Sequence, residues 1–311
     1  MKKILLLGSS IMDLSINTYK IPSPGEVIVD DGGVAYTPGG RGANSAAALG
    51  RLGAECLFLT KLGADAHGKR LFEHFKNIGI NTSYIKVDRD FPTGFNVILK
   101  EGELPPRTIY YPGANMHVSR ENIIEAMATS PDALYINFEV SFETALIAAN
   151  AANERAVPVF AFASGARGDD ALEHLPPLEV FSLNEAETAE YTGVMPQGAD
   201  SSLRAALMIW KRVRCKYLVI KQGARGAFIY DGKHYVMIPA YRPEKVARKN
   251  GAGDAFAAAM TLEYTVSKDI VRAVKFGCAA GAIAISRDGI SAAMPTRPEL
   301  EGFINKQEFF R

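Results

Sequence analysis

Residues 133–162 read ALYINFEVSFETALIAANAANERAVPVFAF, and this stretch decides the fold. Ala133 to Phe138 is a short apolar run, Phe142 to Glu154 a longer amphipathic one, and Val157 to Phe162 is apolar again. Strand, helix and strand in that order indicate a parallel sheet wrapped by helices. The same alternation extends outward in both directions. Further strands are expected at Lys3 to Gly8, Cys56 to Leu62, Val180 to Leu183, Tyr217 to Lys221 and Ala227 to Tyr230. Helices are expected at Ala43 to Leu52, Gly68 to Ile78, Arg120 to Thr129, Glu185 to Tyr191 and Ser202 to Arg212. The last third turns helical, with Gly253 to Thr265, Lys268 to Ser286 and Arg297 to Ile304.

Two stretches break this rhythm. Leu14 to Thr37 and Phe91 to Tyr111 are rich in β-branched and aromatic residues, Pro and Gly, without a helical period. Both read as antiparallel strands standing off the main sheet, either as separate hairpins or joined into one lid over the strand ends where open α/β folds bind ligands. The expected organisation is one α/β domain over residues 1–311, with lid segments at about 14–37 and 91–111.

Bulk properties remove whole function classes. The 311 residues carry 35 Lys+Arg against 34 Asp+Glu, a net charge of +1, which offers no field for nucleic acid or an anionic membrane. At 48% hydrophobic and 22% charged the chain is too apolar for disorder. The N-terminal apolar run stops at Gly8 and reads as a buried strand, too short for a signal or membrane segment. Cys56, Cys215 and Cys278 are scattered and form no CxxC pair, so they read as reduced thiols of a cytoplasmic protein.

Two glycine clusters carry chemistry. Gly39-Gly40-Arg41-Gly42-Ala43-Asn44 opens a small-residue helix, either as a tight turn or as a place where a ligand meets free N–H groups. Asn250-Gly251-Ala252-Gly253-Asp254-Ala255-Phe256 places an acid at the start of an apolar helix. Unpaired N–H groups there suit a transferring phosphoryl oxyanion, and the carboxylate beside them suits a hydroxyl proton; the plainer alternative is an acid complementing the helix dipole. Asn184 and Glu187 lie about one turn apart at a helix start, where they either cap the helix or orient a hydrated Mg²⁺. Gly223-Ala224-Arg225-Gly226 is a turn between strands through which nucleotide phosphates could pass, and Glu139 ends a strand beside the expected crevice.

Taken together, these motifs resemble the ribokinase-like (PfkB) family of carbohydrate and nucleoside kinases. The likeness runs from Gly8-Ser9-Ser10-Ile11-Met12-Asp13 through GGRGAN at 39–44, Asn184 to Glu187, the GARG turn and GAGDAF at 251–256 to Ser286-Arg287-Asp288-Gly289. The paired GG(K/R)GAN and GAGD signatures, in this order and about 210 residues apart, are its most specific part. The resemblance implies a doubly wound α/β core with a β lid, and phosphorylation of a primary hydroxyl on a small sugar or nucleoside using ATP and Mg²⁺. It makes Asp254 the base and the backbone of Gly251, Ala252 and Gly253 the anion hole. Asp13, Gly40, Arg41, Asn44 and Glu139 match acceptor-binding positions. Asn184, Lys221, Gly223, Gly226 and Gly253 match nucleotide positions, and Glu187 a magnesium position acting through water. A lid sheet with an apolar outer face would make the chain a homodimer through the lid.

The chain departs from the family pattern in three places. Arg248-Lys249-Asn250 stands where relatives carry an acid of a monovalent-cation site, and Ala293 stands where its hydroxyl partner would be. Ser164-Gly165-Ala166-Arg167 replaces an Asn-Pro-Ala run of ribokinases proper, and Arg41 replaces the commoner Lys, which leaves the acceptor open among pentoses, sugar acids, hexoses and nucleosides. Arg107, Tyr110 and Tyr111 are the lid residues that could face it. A catalytically impaired relative that senses sugar or nucleotide is the competing class.

Overall fold

The computed structural model describes residues 1–166, 171–247, 250–289 and 292–309, so Arg167, Arg248 and Lys249 lie outside the described residues. In chain order the first elements are β1 (Lys3–Leu7), β2 (Ile11–Thr18), β3 (Val34–Gly39), α1 (Arg41–Arg51), β4 (Glu55–Gly63), α2 (Ala66–Asn77), β5 (Ile85–Asp88), β6 (Gly94–Glu101) and β7 (Arg107–Tyr111). Then come α3 (Arg120–Met127), β8 (Ala133–Asn137), α4 (Phe142–Asn153), β9 (Val159–Phe162), β10 (Leu178–Asn184), α5 (Glu185–Thr192) and α6 (Ala199–Trp210). The last are β11 (Cys215–Lys221), β12 (Ala227–Tyr230), β13 (Tyr235–Ile238), α7 (Ala252–Ser267), α8 (Ile270–Ile285) and α9 (Arg297–Phe309).

Among these residues the large sheet runs β13-β12-β11-β10-β9-β8-β1-β4-β5, parallel from β11 to β5, with β12 and β13 folded back antiparallel at one edge. Successive β1 side chains serve opposite cores, as the period of a strand requires. Ile4 and Leu6 pack with Ala46, Phe58, Phe256 and Ala279 on one face, while Leu5 and Leu7 pack with Ile123, Ala145, Phe181 and Ala206 on the other. Helices therefore cover both faces, the doubly wound α/β architecture. β1 lies between β4 and β8. The chain turns to opposite sides of the sheet there, and a ligand crevice opens at the carboxyl ends of strands flanking such a point.

The two lid segments join into one sheet of order β3-β2-β6-β7. Each segment is an antiparallel hairpin, and the two meet through parallel pairing of β2 with β6. Asn115 ties both roots of the lid to the core: its Nδ2 donates to Ser10 O (2.9 Å) and Pro112 O (2.8 Å), and its Oδ1 accepts from Ser10 N (2.9 Å). Two outcomes differ from the sequence expectation. β5 and β13 were not expected, since each is a four-residue strand at a sheet edge. The lid begins at Ile11 rather than Leu14, which makes Asp13 a lid residue.

Candidate active site

Helix α7 starts with a glycine because the chain must turn sharply into it: Gly251 has φ +89°. No side chain caps this end, so the N–H groups of Ala252 and Gly253 have no intrahelical partner. Asp254 sits in this first turn and is buried. Its Oδ2 accepts a hydrogen bond from Asn44 Nδ2 at 2.8 Å. Burial pushes its carboxyl up to about 6, against the pull of Arg41, Asn44 and Lys221. Lys221, at the end of β11, is partly buried; desolvation pulls its ammonium below the ordinary lysine range, and nearby Glu187 and Asp254 oppose that shift. A side chain at Gly253 would come within 3.9 Å of Lys221 Nζ, so the ammonium stands beside the open helix end.

α1 brings the second glycine cluster to the same place. Gly40 has φ +100°, and Gly42 lies so close to the turn after β1 that a Cβ would meet Ser9 N and O at 2.6 Å. That contact seats the helix start against Ser9 and Glu139. Glu139 Oε2 accepts from Arg41 N (3.2 Å) and from Ser9 Oγ. The Arg41 guanidinium spans the crevice, with Nε 3.4 Å from Glu139 Oε1, Nη1 3.7 Å from Glu187 Oε1 and Nη1 2.6 Å from Ser164 Oγ. It links Glu139 to Glu187 on α5.

Asn184 and Glu187 form a reciprocal cap: Asn184 Oδ1 accepts from Glu187 N (2.8 Å) and Glu187 Oε2 from Asn184 N (2.7 Å). The helix-cap alternative is thus realised, and it leaves Glu187 Oε1 facing Arg41 and Ser164. Gly223 (φ +53°) and Gly226 (φ +97°) shape the turn between β11 and β12. A Cβ at Gly226 would meet Ile238 O at 1.9 Å, so only glycine fits. Arg225 pairs with Glu185 below this turn.

Most of these groups line one cleft of about 1860 Å³. It runs from Ile11, Asp13 and Asn96 under the lid, past Gly40, Arg41, Asn44, Glu139 and Asp254, to Asn184, Lys221, the 223–226 turn and Phe303. The structure therefore brings the residues singled out in sequence to one cleft, except Glu187, which lies behind Arg41 and touches the cleft only through that guanidinium. It adds two that were not: Asn96, and Ser164 as a partner of Arg41. An amide inside the apolar lid run Phe95 to Leu99 was the available signal for Asn96. Ser164 stood out only as part of a departure from the ribokinase pattern, and nothing local pointed it to Arg41, because that contact depends on where β9 ends.

On the lid's inner face the register aligns Thr37, Asp13, Asn96 and Tyr110 in one row across all four strands. The row nearer the core is Gly39, Ile11 and Gly94. Asn96 Nδ2 donates to Asp13 Oδ1 at 2.8 Å. Burial raises the Asp13 carboxyl, Asn96 lowers it and Glu139 raises it further. Of the lid residues considered from sequence, Tyr110 lies on this inner face, while Arg107 and Tyr111, opposite Leu99 and Phe95, lie on the outer one.

A family model for pfkB family carbohydrate kinases matches residues 1–297. The chain is 28% identical to the bifunctional ribokinase/ribose-5-phosphate isomerase A of Fructilactobacillus sanfranciscensis over 99% of its own length, and spans 57% of that longer protein. It is 27% identical to the ribokinase of Bacillus subtilis, covering 98% of this chain and 100% of that one. Among solved structures, Arabidopsis thaliana ribokinase complexed with ribose and ATP superposes with a TM-score of 0.86 at 23% identity, covering 98% and 99% of the two chains.

Proposed function

The chain belongs to the pfkB family of carbohydrate kinases, and from that premise we propose that it transfers the γ-phosphoryl group of ATP to a primary hydroxyl of a small sugar, with Asp254 as the base. The observation that carries this reading is the position of Asp254. A buried carboxylate held at about 6 stands at an uncapped helix start, midway along a cleft with a lid at one end and a glycine turn at the other.

The chemistry follows from those neighbours. The acceptor hydroxyl gives its proton to the Asp254 carboxylate as its oxygen bonds to the γ-phosphorus. The bond from that phosphorus to the bridging oxygen breaks, and ADP leaves with the electron pair. Negative charge gathers on the phosphoryl oxygens, where the N–H groups of Ala252 and Gly253 and the Lys221 ammonium meet it. Arg41, bridging Glu139 and Glu187, adds a planar cation between acceptor and donor. Asp13, Glu139 and the Gly40 backbone hold acceptor hydroxyls, while the 223–226 turn passes the nucleotide.

Glu187 spends Oε2 on the helix cap and turns Oε1 to Arg41 and Ser164 beside the cleft, so Oε1 is the carboxylate oxygen that would reach, through water, a Mg²⁺ held mainly by phosphates. When bound, the ion would neutralise phosphate oxygens, and Glu187 would hold it through water. The same reading assigns a cytoplasmic enzyme, where the thiols of Cys56, Cys215 and Cys278 stay reduced.

The lid supports a homodimer. Its outer face carries Leu14, Ile16, Tyr36, Val97, Leu99 and Ile109, and Ile109 is 66% exposed in the single chain. An apolar sheet face of this kind is stabilised by covering it with a second copy.

Coupled ADP release with a panel of sugars and nucleosides tests the proposal. Turnover is expected with at least one acceptor. Calorimetric binding of a sugar with no turnover of any would instead make the chain a sensor.

A further inference from the structure

Asp13 and Asn96 stand side by side on adjoining lid strands, both line the cleft, and they are joined by the 2.8 Å bond from Asn96 Nδ2 to Asp13 Oδ1. A primary amide has two N–H donors and one carbonyl acceptor, and Asp13 uses one of those donors. The remaining N–H and the Oδ1 of Asn96 are left for a ligand. Asp13 Oδ2 lies where a Cβ on Gly39 would come within 2.4 Å, so the missing side chain there makes room for the carboxylate. Ile11, one row closer to the core, is apolar and lines the same cleft.

A carboxylate that only accepts, next to an amide that donates and accepts, is the complement of two neighbouring hydroxyls. One hydroxyl donates to Asp13, and the next accepts from the Asn96 amide and can donate to its carbonyl. The C–H face of the ring meets Ile11. We infer that Asn96 is a specificity-determining residue that, together with Asp13, reads a vicinal diol on the acceptor; the inference rests on the sugar-kinase reading and deepens it. An acceptor lacking one of these hydroxyls would leave the Asp13 carboxylate or the Asn96 amide without a partner under the lid. Unpaired groups of that kind make discrimination against deoxy analogues steep.

The test compares kcat/KM for ribose against 2-deoxyribose, adenosine against 2′-deoxyadenosine and fructose against 3-deoxyfructose. Wild type is expected to favour the diol member of its best pair by on the order of 10²-fold or more. Asn96→Ala should shrink that ratio to about 5-fold or less, with the KM for ATP unchanged, because the nucleotide occupies the opposite end of the cleft. Asn96→Asp, which keeps the size but replaces the amide donor with a second carboxylate, should also lose the preference. Equal use of both members by wild type, or a ratio that survives Asn96→Ala, would overturn the inference and leave the kinase reading standing. Absence of ADP release with every acceptor would overturn the kinase reading, and the same ratios are then read from calorimetric Kd values. If none of these compounds binds, both fall.

Discussion

Asn44 Nδ2 donates to Asp254 Oδ2 at 2.8 Å, so the first turns of α1 and α7 meet side chain to side chain across 210 residues of sequence. Both helices begin on a positive-φ glycine, Gly40 and Gly251. The bond engages Oδ2 and leaves Oδ1, the oxygen that would take the acceptor proton in the proposed reaction. The two glycine signatures are thus halves of one device.

Replacing Asp254, the proposed base, should separate activity from stability. Asp254→Asn should lower kcat by at least roughly 10²-fold, the loss expected when a general base is removed. The stability effect has the opposite sign. Burial holds this carboxyl at about 6 instead of 3.8, so the folded chain binds the proton more tightly than the unfolded one. Its contribution to stability is fully present below pH 3.8, falls as pH rises through about 6, and amounts to roughly 3 kcal/mol lost at neutral pH. Asp254→Asn should therefore raise the Tm at pH 7.5 and change it little at pH 3.5. In wild type, kcat/KM should fall as pH drops through about 6. Unchanged kcat in the variant would remove Asp254 from the role of base.

The parts of this site legible in sequence were those carried by local pattern. Glycine before an acid at a helix start, and glycines in a strand-to-strand turn, can be read within a few residues because backbone sterics dictate them. What stayed hidden depends on distant pairing. Asn96 reaches Asp13 only because β6 pairs with β2 in parallel, and a one-residue slip in register would turn it to the outer face. The bridge from Arg41 through Ser164 to Glu187 needs α1, β9 and α5 at their final positions. β13 was missed for a related reason: Tyr235, Val236 and Met237 form too short an exposed run to mark an edge strand without its partner β12.

A buried carboxylate far from the cleft governs stability instead. Glu263 is 1% exposed on α7 and pairs with Arg272 of α8 and, at 2.7 Å, with Arg297 of α9. Both guanidinium groups also cover the Phe276 ring. Arg272 and Arg297 keep part of their surface in water, so losing the acid costs less than the roughly 3–5 kcal/mol of a fully buried pair, on the order of 1–3 kcal/mol. Glu263→Ala should lower the urea midpoint accordingly while kcat, measured well below the Tm, stays near wild type. A midpoint shift under about 1 kcal/mol would show that the two arginines solvate themselves when the acid is gone.

Charge on the lid tests the dimer. Ile109→Lys and Tyr36→Asp each place a charge on the outer face, away from the inner row that holds Asp13 and Asn96. Light scattering should give twice the chain mass for wild type and a monomer for the double variant. A wild-type mass of one chain across micromolar concentrations would remove the dimer proposal.

Potassium offers the last test. In the family pattern a monovalent cation sits near the anion-hole loop, held in part by an acid shortly before the GAGD run and by a later hydroxyl. This chain has Arg248 at the first position, outside the described residues, and Ala293 at the second. Ala293 is 2% exposed, and its methyl group supplies no oxygen donor. These side chains do not fit a potassium ion. A guanidinium within about 4 Å of such an ion would oppose it by roughly 4 kcal/mol at an effective dielectric of 20, a thousandfold loss of affinity. Turnover should therefore be independent of K⁺ when ionic strength is held constant with a bulky organic cation. The reciprocal variant makes the case sharper. Arg248→Asp combined with Ala293→Ser restores both oxygen donors, and its kcat should rise several-fold on adding K⁺ while wild type stays flat. A several-fold K⁺ response in wild type would mean that backbone carbonyls alone build the site, and that the two substitutions in this chain did not abolish it.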